Sequence, residues 1–255
     1  MKYIVSDIWA ITKRNLYRYL RLPQLLFFST VQPVMFLLLF NFVFGGAIRV
    51  PGIPEGEYIN YLLPAILAQV VMFGGMQTGV GLAVDMTSGI IDRFRSLPMS
   101  RVAVLAGRTL SDLIRNIVVA SIMIGLGYAL GFRFGKGFFF AAGMIGLVLL
   151  FGYAFSWIMA FIGMGVKDSE TAQVAGFPVI FPLLFASSAF VPVATMPGWL
   201  QAFANNQPVT HLIESARYLT VGIGSADSIW KAVLWAVAIL IVFVPLSVMR
   251  YRKRV

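Results

Sequence analysis

Uncharged apolar runs alternate with short basic segments along the whole chain. Residues 22–48 carry no charge, nor do 58–84, 116–132, 137–166, 171–213 and 232–249. A helix needs roughly 20 apolar residues to cross a bilayer core. Backbone groups in lipid must satisfy one another within the segment, so helix is the default. The pattern therefore predicts an all-α membrane protein with six spanning helices, over 24–47, 59–84, 102–131, 139–166, 173–191 and 228–249. The run 171–213 is too long for one crossing and holds Pro178, Pro182, Pro192, Pro197 and Pro208. A helix through Gln173 and Phe190 fills one crossing. The remainder, 193–224, is predicted as short helices that re-enter the outer leaflet and survive there only if packed in protein. No linker marks a second domain, so 1–255 is read as a single transmembrane unit.

Lysine and arginine set the orientation. With the N-terminus inside, the inner segments hold Lys2, Lys13, Arg14, Arg18, Arg21, Arg93, Arg95, Arg101, Arg108, Arg115, Lys167, Arg250, Arg252, Lys253 and Arg254, which is 15 of the 20 basic residues. Arg49, Arg133, Lys136, Arg217 and Lys231 are left outside. Both termini are thus expected in the cytoplasm. Composition agrees: 59% of residues are hydrophobic and 12% charged, where a soluble domain carries about 25% charged residues. The mean hydropathy is +0.86. The net charge of +10 is spread over the segments between apolar runs, a pattern suited to anionic lipid surfaces rather than nucleic acid. With no cysteine and His211 as the single histidine, thiolate chemistry and a multi-histidine metal site are excluded. No catalytic group, metal site or cofactor is expected in the chain.

Two inner segments carry interaction chemistry. Over 1–21, Val5, Ile8, Trp9, Leu16, Tyr19 and Leu20 recur at helical spacing, with Arg14, Arg18 and Arg21 on another face. This is an amphipathic helix lying in the inner interface with Trp9 at headgroup level, either a basic topology anchor or a lever on the first span. In 86–98, Ile90, Phe94 and Leu97 form one apolar stripe. Asp92, Arg93 and Arg95 lie off it, and Pro98 ends the helix. Two readings stand: an ordinary basic loop, or a helix that docks in a partner's groove.

Inside the spans, Gln32, Asn41, Gln69, Gln77 and Thr78 must find partners away from lipid. They are interhelical glue or, with Phe181 and Phe185, the lining of an amphipathic substrate path. Arg108, Asp112 and Arg115 share one helical face and read as an ion-paired extension of the third span. The motifs Gly75-x-x-x-Gly79 and Gly127-x-x-x-Gly131 are small faces for close helix packing. In the outer segment Trp199, His211 and Glu214 are candidates for a gate, and His211 with Glu214 alone is too few ligands for a metal.

The stretch SGIIDRFRSLPMSRVAVLAGRTLSD and the block FASSAFVPVATMPGWLQAFANNQPVTHLIESARYLTVG resemble the loop after the second span, and the region between spans five and six, of ABC-2 type permeases. The resemblance is nearest to the daunorubicin-resistance permease family, and with the span layout it covers nearly the whole chain. It implies a dimer of permease units, homomeric or paired with a related permease, served by two copies of a soluble ABC ATPase that holds ATP and Mg. It implies a coupling helix carrying Gly89, Ile90, Asp92, Arg93, Phe94, Arg95, Leu97, Pro98 and Arg101. It also implies a connecting helix carrying Trp9, Arg14, Arg18 and Arg21.

A phosphate-binding loop would require G-x-x-x-x-G-K-[ST]. The stretch from Gly131 through Gly135, Lys136 and Gly137 has one residue too few and no hydroxyl, so nucleotide energy is expected from another chain. The expected function is the permease part of an ATP-driven exporter of a lipophilic or amphipathic compound (drug, antibiotic or lipid) in a bacterial cytoplasmic membrane. A secondary transporter or channel acting alone is the alternative, and it would want an intramembrane ionisable pair or broken helices in two halves. A membrane enzyme would want clustered His, Asp or Ser at one depth.

Overall fold

The computed structural model describes residues 4–45, 57–91 and 100–254, and every regular element among them is helical. Helix α1 (Ile4–Arg21) is followed after the single residue Leu22 by α2 (Pro23–Leu39). Pro23 starts α2 at the position where a missing N–H costs nothing. The helix runs on through a π-helical turn, Phe40–Phe44. Then come α3 (Tyr58–Thr87), α4 (Arg101–Ala129), α5 (Phe138–Gly163) and α6 (Ser169–Phe185). A 3-10 turn (Val193–Thr195) leads to α7 (Gly198–Asn206), α8 (Pro208–Val221) and α9 (Asp227–Arg254).

Among the described residues five helices are long and apolar enough to cross a membrane, by length and composition: those holding Leu26–Phe44, Tyr58–Thr87, Val102–Ala129, Phe138–Gly163 and Asp227–Lys253. The fifth of the six expected spans is shorter. Helix α6 is apolar but ends after 17 residues, where Ala186 leaves helical geometry at φ −91°, ψ 37°. Pro178 and Pro182 lie in its last two turns, and each removes an i to i−4 hydrogen bond. After it the chain turns through residues 186–192 into the short elements that precede α9.

Helix α3 is the axis of the molecule. In its most apolar window 89% of residues are buried, against 11% in α2. Its small face makes this burial physically accessible. Gly75 packs on Phe155 and the Ser156 backbone, and Gly79 lies directly on Met159 and Gly163 of α5. From the other side Gly152 of α5 receives Val71 of α3. Without side chains at these points the two backbones approach closely, the packing mode open to helices that gain nothing from burying apolar surface against lipid. Around α3 the core holds Leu62, Leu63, Ile66, Leu67, Met72, Phe151, Phe155, Ile180 and Leu212, all nearly inaccessible. At the opposite side, Gly222 closes α8 in the left-handed conformation, φ 84°, where the absence of Cβ removes the steric penalty.

Candidate functional site

The site begins with the way α1 is seated. Its buried residues are Ile11, Thr12, Asn15 and Tyr19, a stripe at helical spacing. Gly107 of α4 meets Ile11 and the Ile8 carbonyl so closely that any Cβ there would clash. The Thr12 hydroxyl sits by the Ile8 carbonyl at 2.8 Å and the Gly107 carbonyl at 3.2 Å. An apparently interfacial helix is therefore keyed into α4 by one bare glycine.

This seating delivers Tyr19 to a buried cluster of charge. Asp112 of α4, 1% exposed, accepts hydrogen bonds from the Tyr19 hydroxyl, from Thr78 Oγ1 of α3 at 2.6 Å and from Arg108 Nε at 3.2 Å. Arg115 Nη1 lies 3.8 Å from it. Asp85 of α3 takes Arg14 at 3.2 Å and has Arg108 and Arg18 at 3.8 and 3.9 Å. Arg115 also donates to the Gly74 carbonyl at 2.7 Å and to Asn116 Oδ1 at 3.3 Å. Two aspartates thus tie α1, α3 and α4 together through four guanidinium groups. Burial, with the Asp112 charge added, pushes the Tyr19 hydroxyl up to about 12, so at neutral pH it is protonated and donates. Bare glycines again make the room: the Arg108 guanidinium lies on Gly81 and the Asn116 amide on Gly74.

Beside the cluster lies a cavity of about 630 Å³. Its walls are Asn15, Arg18 and Tyr19 of α1; Gln24, Phe28 and Gln32 of α2; Gln69, Phe73 and Gln77 of α3; Arg108, Arg115 and Asn116 of α4; and Gln173 and Phe177 of α6. Three of the polar residues singled out in the spans, Gln32, Gln69 and Gln77, meet here. Asn41 does not line it and sits in the π-helical turn.

Phe181 and Phe185 belong to a row of rings that leads away from the cavity. Successive centroid separations are 5.4 Å for Phe177–Phe181, 5.6 Å for Phe181–Phe185, 5.3 Å for Phe185–Phe190 and 4.5 Å for Phe190–Phe40. Phe36 and Phe44 flank Phe40 at 5.9 and 5.0 Å. The i, i+4, i+8 recurrence of Phe177, Phe181 and Phe185 was the sequence signal for this row. Its continuation onto α2 needed the fold.

Of the loop residues, Gly89 has φ +69°, a conformation that favours glycine. Ile90 is half-buried, and Ile91 is buried against Leu82, Val104, Leu105 and Tyr251. Asp92, Arg93, Phe94, Arg95, Leu97 and Pro98 lie outside the described residues. Arg101 opens α4. On α1, Trp9 is exposed and so is Arg21, whereas Arg14 and Arg18 reach the Asp85 pair.

At the other end, Glu214 pairs with Arg217 at 3.1 Å. Arg217 is 1% exposed. It donates to the Tyr61 carbonyl at 3.0 Å, the Ala189 carbonyl at 3.0 Å and Ser188 Oγ at 3.2 Å, and lies over the Tyr61 ring at 3.3 Å. It binds α8 to α3 and to the turn after α6. Reading the sequence for orientation counted this arginine in an outer segment and gave it no partner. Its i, i+3 relation to Glu214 was the available signal. His211 is buried, and its imidazole is held below its usual range by that burial and by Lys231, against an opposing pull from Glu214. Trp199 is exposed.

The family model described as ABC-2 type transporter matches residues 6–221. The daunorubicin resistance ABC transporter permease protein DrrB1 of Streptomyces coeruleorubidus is 33% identical over 250 residues, covering 98% of this chain and 86% of that protein. The probable doxorubicin resistance ABC transporter permease protein DrrC of Mycobacterium tuberculosis is 27% identical over 254 residues, covering 99% and 90%. The putative transport permease ycf38 of Cyanophora paradoxa is 25% identical over 221 residues, covering 85% and 75%.

Proposed function

The chain belongs to the ABC-2 type transporter family and is a multi-pass permease subunit of an ABC system, and we propose that it exports a lipophilic or amphipathic compound, a drug, antibiotic or lipid, across a bacterial cytoplasmic membrane. The observation that carries export is the 33% identity, over 98% of this chain, with a permease named for daunorubicin resistance.

In this reading six helices span the bilayer, α6 with its following turn serving as the fifth, and both termini face the cytoplasm. Two permease units, identical or related, assemble with two copies of a soluble ATPase. ATP and Mg sit on that ATPase, and this chain contributes no catalytic group. The segment from Gly89 to Arg101 docks in the ATPase, led by the Ile90, Phe94 and Leu97 stripe, while α1 passes motion to α4 and α3 through the aspartate cluster. Cargo enters the cavity beside Gln32, Gln69 and Gln77 and leaves along the phenylalanine row, past the outer helices that carry Trp199, His211 and Glu214. The row supports this path because ring faces offer apolar contact at every step while making no single tight site.

The test is recovery of the intact permease from native membranes in mild detergent, with mass identification of its partners. A soluble chain with a Walker A motif is expected, and Phe94→Asp is expected to lose it while the permease still folds. Recovery of the permease alone, active in vesicles without ATP, would transfer the assignment to a secondary transporter.

A further inference from the structure

The charged side chains on the cavity wall are Arg18, Arg108 and Arg115, and no carboxylate lines it among the described residues. The nearest carboxylates stand behind the arginines and are already shared. Asp112 holds Arg108 and Arg115, and Asp85 holds Arg14 with Arg108 and Arg18 near it. A cationic head entering here meets like charge and has no free anion to receive it.

The arginines are not spent by these pairs. A guanidinium carries five N–H donors. Arg108 uses its Nε and Nη2, and Arg115 its Nη2. The Arg18 guanidinium makes no hydrogen bond among the described residues, its ion pair with Asp85 being 3.9 Å long. The wall thus offers unspent cationic donors beside an apolar side at Phe177.

We propose that the cargo of this permease is an amphiphile whose polar end is an acidic oxyanion, a phosphate or carboxylate head seated between Arg18, Arg108 and Arg115. The proposal rests on the exporter reading for the word cargo, but the headgroup preference stands on the cavity alone. A neutral head leaves the arginine donors unspent, and a cationic head is repelled.

The experiment uses the full-length permease purified in neutral detergent, with a tail-labelled fluorescent phosphatidic acid followed by anisotropy. Unlabelled phosphatidic acid is expected to compete about tenfold better than phosphatidylcholine with the same chains, the scale of one charge-assisted hydrogen bond. Arg18→Gln is expected to erase most of that preference and Arg18→Lys to retain it, since Arg18 is a partly exposed residue whose loss leaves the buried pairs intact. Equal competition by the two lipids, or a preference unchanged in Arg18→Gln, would overturn the site. Competition by inorganic phosphate as strong as that by phosphatidic acid would overturn the amphiphile and leave a free-anion site.

The word cargo is tested in the complex reconstituted with its ATPase. Hydrolysis stimulated more by phosphatidic acid than by phosphatidylcholine supports it, and intact binding preference without such stimulation refutes it. A complex that hydrolyses no ATP at all, with the preference intact, counts against the exporter reading and leaves the site standing.

Discussion

Replacing Asp112 by alanine tests whether two aspartates hold α1, α3 and α4 together. The carboxylate is 1% exposed and receives the Tyr19 hydroxyl, the Thr78 hydroxyl and Arg108 Nε, with Arg115 at 3.8 Å. Its removal leaves Arg108 with Asp85 at 3.8 Å and the Gln77 carbonyl at 3.4 Å. Among the described residues Arg115 keeps its hydrogen bonds to the Gly74 carbonyl and Asn116 Oδ1 and its place over the Tyr19 ring. Breaking a buried pair from one side costs about 3–5 kcal/mol, because the remaining charge is stranded. Thr78→Val removes one hydrogen bond to the same charged acceptor and should cost less, about 1.5–3 kcal/mol.

Arg108→Met with Asp112→Leu takes out both members of a pair, and should lose less than the sum of the two single changes, by about 0.5–3 kcal/mol of coupling. The assay is reversible unfolding in mixed micelles titrated with SDS, followed by circular dichroism at neutral pH. An Asp112→Ala cost below about 1 kcal/mol, or no larger than that of Thr78→Val, would refute the reasoning. It would mean that water reaches the cluster and the ion pairs are decorative.

Other outcomes are expected elsewhere. Gly79→Leu drives a side chain into Met159 and Gly163 and should cost at least about 1–3 kcal/mol, read in the same micelle titration. Arg217→Ala severs α8 from Tyr61, Ser188 and Ala189 and should cost about 3 kcal/mol. Arg217→Lys should recover less than half of it, since an ammonium cannot reproduce the planar fork. His211 is depressed in the fold, so the unfolded chain binds its proton first. Its contribution to stability is therefore complete above the ordinary imidazole value of about 6.5 and falls as pH drops through that value toward the lowered one. His211→Gln should flatten that acid limb in melting curves taken across this range.

The sequence announced apolar helices readily, because absence of charge over 20 residues is a signal that needs no neighbour. It announced the Arg108, Asp112 and Arg115 row as well, since spacing alone puts three charges on one face. What it concealed were contacts between distant segments. Asp85 reads as the start of a polar loop, yet it is buried beneath arginines from α1 and α4. Tyr19 looks like an apolar position of an interfacial helix, and only the seat at Gly107 sends its hydroxyl to Asp112. The glycines of α3 suggested close packing but not its partner. Arg217 concealed a contact of the same kind, since its place in an outer segment does not tell of the four acceptors and the tyrosine ring that receive it. The shortness of α6 was legible from Pro178 and Pro182 only if both were read as terminating the helix rather than bending it.

The length of α3 has a bearing on where the charges sit. Thirty residues at about 1.5 Å each make a rod of about 45 Å, while hydrocarbon is about 30 Å thick. Counted from Tyr58, about twenty residues reach Gln77, and an average tilt adds only one or two more. With Tyr58 set at one face of the hydrocarbon, Thr78, Gly81 and Asp85 fall beyond its other face, with the arginines of α4 beside them. Membrane thickness is thus a hidden parameter of this protein. A bilayer a few ångströms thicker would draw the aspartates toward hydrocarbon and tighten every pair, whereas a thinner one would bathe them in water and loosen the joint between α1 and the spans.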